Sequence, residues 1–341
     1  MITRAQGHDA RLIPLSVFCA LIATAPLASA ARSPRVWLEK MSQALRTRNY
    51  DGTFFHLSDG RVEAMRIVHR NLHGHITERL QALEGAGREY IRSANGRLTC
   101  YLPDKHEVLV ETRPNHSSLL SALPRFGPGV EKFYRISALP DERILGTPVK
   151  VIQVSPRDQY RFGYRLWLDR KTAMPLKTQM SDARGRMLEQ ILFASLRMPK
   201  SIPDSELRPN VSTAGMRWIV QGPTEQASAA EERLRPAELP PGFHLAAAGA
   251  QTIGAAQRPA EHLVYSDGLA TVSVFVEPQP AVSRRGAGPR EMQGLARLDA
   301  GFAFSTVIQG HQVTAVGEVP AQTVELIAHS VGAAASLSGR R

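Results

Sequence analysis

Residues 36–70 read VWLEKMSQALRTRNYDGTFFHLSDGRVEAMRIVHR, and a change of period inside them constrains the fold most. Trp37, Met41, Ala44 and Leu45 recur at helical spacing and make one apolar stripe. Ser33 and Pro34 stand where an N-cap and a first-turn proline belong. Asn49 to Gly52 carries residue types suited to a helix exit and an Asp-Gly turn. Beyond it the period falls from about 3.6 towards 2. The stretch predicts a short amphipathic helix laid on a curved antiparallel sheet.

What precedes it predicts export. Leu12 to Thr24 is apolar, follows Arg4 and Arg11, and is too short to span a bilayer. Ala28-Ser29-Ala30 has the small-x-small form of a cleavage site, so residues 1–30 are read as a signal peptide cut after Ala30. Phe18 ahead of Cys19 does not suit a lipoprotein signal. Cys100 is then the one cysteine left, so no internal disulfide can staple the fold and stability must rest on apolar cores. About 311 residues exceed one typical core, which predicts two domains. The net charge of +11 is carried almost wholly by arginine. Guanidinium forks suit carboxylates and phosphates, so anionic lipid head groups or an acidic protein segment are the partners to consider, not nucleic acid. The plain alternative is an arginine-rich solvated face.

From Thr53 to Leu196 the pattern predicts ten or eleven short strands, enough to curl into a barrel or a half-closed one. Asn95-Gly96 marks a tight hairpin. Leu98, Cys100 and Leu102 alternate with Arg97, Thr99 and Tyr101, and Ile76, Leu80 and Ala82 with Thr77, Arg79 and Gln81. Pro114 to Gly129 is a long loop that still carries Leu119, Leu120, Leu123 and Phe126, which suits a lid or a short helix over a barrel mouth. Residues 198–217 contain Pro199, Pro203 and Pro209 among polar residues and read as an interdomain linker.

Residues 218–332 read as a smaller second domain. Hairpins turn at Ser266-Asp267-Gly268 and at Gln309-Gly310-His311. Val324, Ile327, Ala328 and Val331 repeat at i, i+3, i+4, i+7 behind Pro320 and predict a closing helix. Residues 333–341 read as a frayed tail.

The search for reactive chemistry leaves no enzyme to assign. His69, His73 and His75 straddle a turn without a fourth donor nearby and read as solvated turn histidines, so neither a metal nor a cofactor is expected. No nucleophile elbow is present. The carboxylate pairs Asp141-Glu142 and Glu231-Glu232 lie in polar loop-like contexts. Cys100, on the apolar side of its strand, reads as a buried structural thiol. What remains is a binding protein. Apolar residues lining a half-barrel form a cavity for acyl chains, with Phe54, Leu80, Tyr101, Leu109, Phe126, Phe133, Tyr134 and Trp167 as lining candidates. The alternative is that these side chains simply fill the core.

Several stretches together resemble the RseB/MucB family of periplasmic regulators. They are WLEKMSQALRTRNYDGTFFH (37–56), MRIVHR (65–70), ERLQALEGAGRE (78–89), CYLPDKHEVLVE (100–111), YRLWLDRKTAMPLKTQMSD (164–182), HLVYSDGLATVSVFVE (262–277) and GHQVTAVGEVPAQTVELIAHSV (310–331). The resemblance implies a mainly β chain. Residues 33–197 would form a LolA/LolB-like unclosed antiparallel barrel with covering helices, and 218–332 a small α/β domain. It implies a non-enzymatic periplasmic protein that binds the periplasmic region of a single-span anti-sigma factor and shields it from site-1 proteolysis. Lipopolysaccharide or another acylated lipid would release it. Tyr265, Asp267, Leu269, Val272, Phe275, His311, Val313 and Glu318 are the expected partner-binding residues, on hairpins whose edges could take an added strand. Leu119 to Phe126 is the expected lipid gate. A simple lipid or lipoprotein carrier is the competing reading, and self-association stays open.

Overall fold

The first helix, α1 (Pro34–Thr47), turns its Leu38, Met41 and Ala44 into the protein and hands over directly to a strand. This is seen in a computed structural model that describes residues 33–112, 126–127, 129–221, 234–253, 258–278 and 293–333. Asp51 and Gly52, expected in a turn, lie inside β1 (Tyr50–Ser58). The glycine has a packing reason. A Cβ on Gly52 would sit 2.7 Å from the ring of Phe193, which lies across it.

Among the described residues eleven strands run from Tyr50 to Arg197, in line with the number expected. Six go outward from the helix: β1, then β2 (Arg61–Leu72), β3 (His75–Ala82), β4 (Glu89–Arg92), β5 (Arg97–Leu102) and β6 (Glu107–Thr112). Five come back: β7 (Tyr134–Ile144), β8 (Thr147–Pro156), β9 (Gly163–Asp169), β10 (Pro175–Ser181) and β11 (Met187–Arg197). Each series is an antiparallel meander, and pairing of β1 with β11 joins them. A twelfth strand, β12 (Arg217–Gln221), adds to β6 in parallel, so the order is β12-β6-β5-β4-β3-β2-β1-β11-β10-β9-β8-β7. The sheet is open, with β12 and β7 as its edges.

Two apolar clusters fill the helix-covered, inner face. Tyr50, Phe54, Met65, Ile67, Leu80, Ile191 and Phe193 form one with Ala44. Tyr134, Ile152, Val154, Phe162, Leu166, Leu168 and Met180 form the other with Leu38 and Met41. Part of the opposite face is also covered, which the sequence did not reveal. The segment expected as a linker lies against it as a strap. Ile202 and Leu207 pack on Val68, while Val211 and Met216 pack on Ile91, Tyr101, Val108 and Val110. Polar contacts fix the strap. Arg66 bonds Glu206 at 2.8 Å, and the backbone N–H of Asn210 donates to both carboxylate oxygens of Glu89. Glu89 in turn takes two bonds of 3.1 Å from the Arg79 guanidinium, both side chains being buried.

A smaller sheet follows: β14 (His244–Ile253), β15 (Arg258–Ser266), β16 (Thr271–Pro278), β17 (Gly294–Arg297), β18 (Phe302–Ile308) and β19 (His311–Gly317), in the order β14-β15-β16-β19-β18-β17. Helix α2 (Ala321–His329) covers one face, placing Val324, Ile327 and Ala328 against Leu263, Val272, Val274, Val313 and Ala315. Val331, expected as the helix's last apolar position, lies instead in β20 (Val331–Ala333), which pairs with β13 (Leu234–Pro236). Ser330 ends the helix one residue earlier.

Candidate functional site

The expected lipid-lining residues divide between the two faces of the large sheet. Phe54 and Leu80 lie in the inner cluster beside α1. Leu80 pairs across strands with Tyr90, Tyr90 with Cys100 and Cys100 with Leu109, so Leu109 continues the same row. Tyr134 belongs to the second inner cluster, with Phe126 and Phe133 packed against it. Tyr101 and Trp167 point the other way. Tyr101 joins the group under the strap, and Trp167 packs with Val149 and Val151, donating its indole N–H to Glu142 at 2.9 Å. The alternation is as expected, but large apolar side chains are buried on both faces, so bulk alone does not say which face a residue takes. Leu119, Leu120 and Leu123 lie outside the described residues.

His69 corrects the reading of a solvated histidine. The β2–β3 register sets it opposite Glu78, where both are buried and Nδ1 meets Oε1 at 2.9 Å. Its ring stacks on Tyr50 at 4.5 Å. His73 and His75 are exposed. Among the described residues no group of three or more potential ligands could hold a metal ion. Cys100 is buried.

The densest constellation lies where the smaller sheet meets the larger, and it is built on Arg161. Its guanidinium is fully buried, donates from Nε to Asp267 Oδ2 at 2.5 Å, and also bonds Asp158 and the carbonyl of Pro241. The rings of Phe133 and Phe243 lie 4.8 and 5.1 Å away. Burial opposes the charged form, but Asp267 and Asp158 outweigh it and raise the pKa of Arg161. The Tyr134 hydroxyl donates to the same Asp267 oxygen at 3.2 Å, and burial, then that carboxylate, raises its pKa. Around this centre the amide of Gly127 donates to Gly268 at 2.8 Å, and Thr323 donates to the carbonyl of Tyr160 at 2.9 Å. Leu269, Ala300 and Phe302 of the smaller sheet pack on the second inner cluster.

Gly242 shows how closely this seam is packed. It has φ +86°, and any Cβ there would run into the ring of Phe133. Gly242→Ala should therefore cost about 1–3 kcal/mol, read as a lower urea midpoint.

The expected partner-binding residues are thus mostly spent inside the protein. Tyr265, Val272 and Val313 are core. Asp267 and Leu269 belong to the seam, and Glu318 lies beside it. Strand addition at those hairpins is excluded by position, because β15, β16 and β19 each pair on both sides. The edges of this sheet are β14 and β17. Phe275, stacked on His262 at 4.5 Å, and His311, at the β18–β19 turn, remain partly exposed.

Comparison with known proteins covers both sheets. The model of the MucB/RseB N-terminal domain matches residues 33–211, and that of the MucB/RseB C-terminal domain matches residues 228–332. The sigma factor AlgU regulatory protein MucB of Pseudomonas aeruginosa is 32% identical over 86% of this chain and 89% of its own length. The sigma-E factor regulatory protein RseB of Escherichia coli K12 is 24% identical over 89% and 92%. A solved MucA/MucB complex from P. aeruginosa aligns with 89% of this chain and 99% of the matched chain, at 27% identity and a TM-score of 0.66. A crystal structure of MucB in complex with MucA(peri) gives 27% identity and a TM-score of 0.64.

Proposed function

Because the chain belongs to the MucB/RseB family, we propose that it is a periplasmic regulator of an envelope-stress sigma factor. It binds the periplasmic region of a membrane-anchored anti-sigma factor and, while bound, keeps the site-1 protease from cutting it. The observation that carries this reading is the likeness to MucB in its MucA complexes, which extends over both sheets. A carrier built on the open sheet alone has no use for the smaller sheet. No enzyme chemistry is required, and the charged groups of the seam are engaged with one another.

The fold suggests how a lipid signal acts. Phe54, Leu80 and Tyr134 are packed among their neighbours, so an acyl chain must displace something to enter. Phe126, at the end of the lid segment, is the side chain we assign to that gate. A ligand that favours the rearranged form weakens partner binding by the same coupling factor, about 5- to 150-fold for about 1–3 kcal/mol. Partner contact is assigned to the part-exposed Phe275 and His311.

The test is capture of the mature chain by the periplasmic region of the anti-sigma factor encoded beside it, with and without lipopolysaccharide. Binding that lipid weakens, together with protection from site-1 cleavage, is the expected result. No binding and unaffected cleavage would sink the proposal. Phe275→Ala with His311→Ala should reduce affinity while leaving thermal unfolding unchanged. Unaltered affinity would remove these two residues from the contact surface. Failed lipoprotein sorting in a deletion strain would favour the carrier instead.

A further inference from the structure

Three segments that are distant in the chain come together at the end of the large sheet where α1 stops. They are 42–50, 67–77 and 194–203, and none of them contains an aspartate or a glutamate. Two asparagines tie them to one another. Asn71, near the tip of the β2–β3 hairpin, donates its side-chain amide to the Arg46 carbonyl in the last turn of α1 at 2.7 Å. Asn49, between α1 and β1, donates to the Lys200 carbonyl beyond β11 at 3.0 Å and accepts the backbone N–H of Asn71 at 2.9 Å. The side-chain oxygen of Asn71 also accepts the amide of Gly74 at 2.9 Å, which shapes the hairpin turn. Helix end, hairpin tip and the start of the strap are thus fixed as one surface.

That surface is cationic. Arg66, Arg70 and Arg197 are balanced by Asp51, Glu206 and Asp204. Arg46, Arg48 and Lys200 are exposed, and among the described residues no carboxylate pairs with them. The Arg46 guanidinium reaches back to the carbonyl of Ser42 at 3.3 Å. Two apolar side chains stand among these cations. Leu72, beside the hairpin tip, is 53% exposed, and Met198, between Arg197 and Lys200, is 37% exposed. Cations interleaved with exposed apolar side chains suit a partner that is anionic outside and oily just beneath. An extended acidic peptide cannot add here as a strand, because β1, β2 and β3 each pair on both sides.

We propose that this surface docks the protein on the anionic phospholipids of a bilayer, with Arg46, Arg48 and Lys200 at the phosphates and Leu72 and Met198 at the acyl boundary. A Lys or Arg within a Debye length of an anionic leaflet, about 8 Å at physiological salt, strengthens partitioning about fivefold. Three of them together give about a hundredfold. The asparagine hydrogen bonds already hold the three segments in place, so little ordering is lost on docking. The surface includes neither Phe275 nor His311 and does not depend on the partner assigned above. It would hold the chain at a membrane whatever protein it meets there.

The experiment is co-sedimentation of the mature chain with vesicles of equal parts phosphatidylglycerol and phosphatidylcholine, and with vesicles of phosphatidylcholine alone. The wild type should bind the mixed vesicles, leave them as salt is raised, and ignore the neutral ones. Arg46→Gln with Arg48→Gln and Lys200→Gln should weaken binding about a hundredfold while thermal unfolding stays unchanged. Arg61→Gln with Lys105→Gln and Arg184→Gln removes the same charge at the far ends of the strands, and should alter binding by no more than about twofold. An environment-sensitive fluorophore on Leu72→Cys should shift to the blue on the mixed vesicles, and one on the exposed Val62→Cys should not, with buried Cys100 left in place. No binding by the wild type, equal loss in the two triple variants, or a Leu72 label that stays in water overturns the proposal. Capture by polyglutamate or by lipopolysaccharide aggregates in place of the vesicles overturns it too. Should a triple variant fail to fold, the two labels in the otherwise wild-type chain decide.

Discussion

Arg161→Ala is expected to destabilise the chain by about 3–5 kcal/mol and to separate the two sheets before either unfolds. The guanidinium has no access to water and holds Asp267, Asp158 and the Pro241 carbonyl together. Removing it leaves the Asp267 carboxylate buried with the Tyr134 hydroxyl and no cation, and an uncompensated buried charge costs far more than the intact pair contributes. It also removes the flat group packed against Phe133 and Phe243, leaving a cavity between two rings. Urea unfolding should show a lower midpoint, with a shoulder where the seam opens. The double variant Arg161→Met, Asp267→Leu should recover much of the loss, because it removes both charges and restores apolar volume. If the single and double variants lose equally, the pair is not the fastener described here.

Glu89→Ala is expected to cost a similar amount, about 3–5 kcal/mol, by another route. Glu89 neutralises the buried Arg79 and accepts the amide of Asn210, so one carboxylate ties a strand, its neighbour and the strap. Without it the Arg79 guanidinium keeps the Gln81 side chain and the Glu206 carbonyl but no counter-charge. The strap should lift from Val68, Val108 and Val110, and limited proteolysis should cut within residues 198–217 under conditions that leave the wild type whole. Glu89→Gln, which keeps hydrogen-bonding capacity without charge, should fall between the two. Unchanged proteolysis in Glu89→Ala would show that apolar contact alone holds the strap.

Local signals in the sequence carried far. Alternation from Leu98 to Leu102, the Asn95-Gly96 turn and the Asp267-Gly268 turn each placed a hairpin correctly. These are short-range effects, in which period and turn chemistry act within a few residues. Orientation was harder. Tyr101 and Trp167 were expected among the apolar residues lining a cavity, yet the strap and the Val149–Trp167 cluster bury them on the other side. Alternation sets Tyr101 on the side of Arg97 and Thr99, and Trp167 on the side of Arg165, yet apolar neighbours bury both rings there. His69 was legible in principle, since Glu78 lies nine positions on and the hairpin register brings them level. Arg161 and Asp267 were not, being 106 positions apart in different sheets. Asp267 read as a turn residue, which it also is, because its other carboxylate oxygen accepts the amides of Leu269 and Ala270.

The join between β1 and β11 has a consequence for how the chain comes to be folded. Each meander closes through neighbours in sequence, but Asp51 meets Arg197 across 146 positions. Closing so long a loop is slow relative to hairpin formation. In a chain that emerges N-terminus first, β1 pairs with β2 early and then waits with its other edge bare until β11 arrives. That edge includes Phe54 and Phe55, an aromatic strand of the kind that pairs with strangers. The half-built protein should thus be most prone to aggregate after β6 and before β11, and holdase chaperones should act on it in that interval.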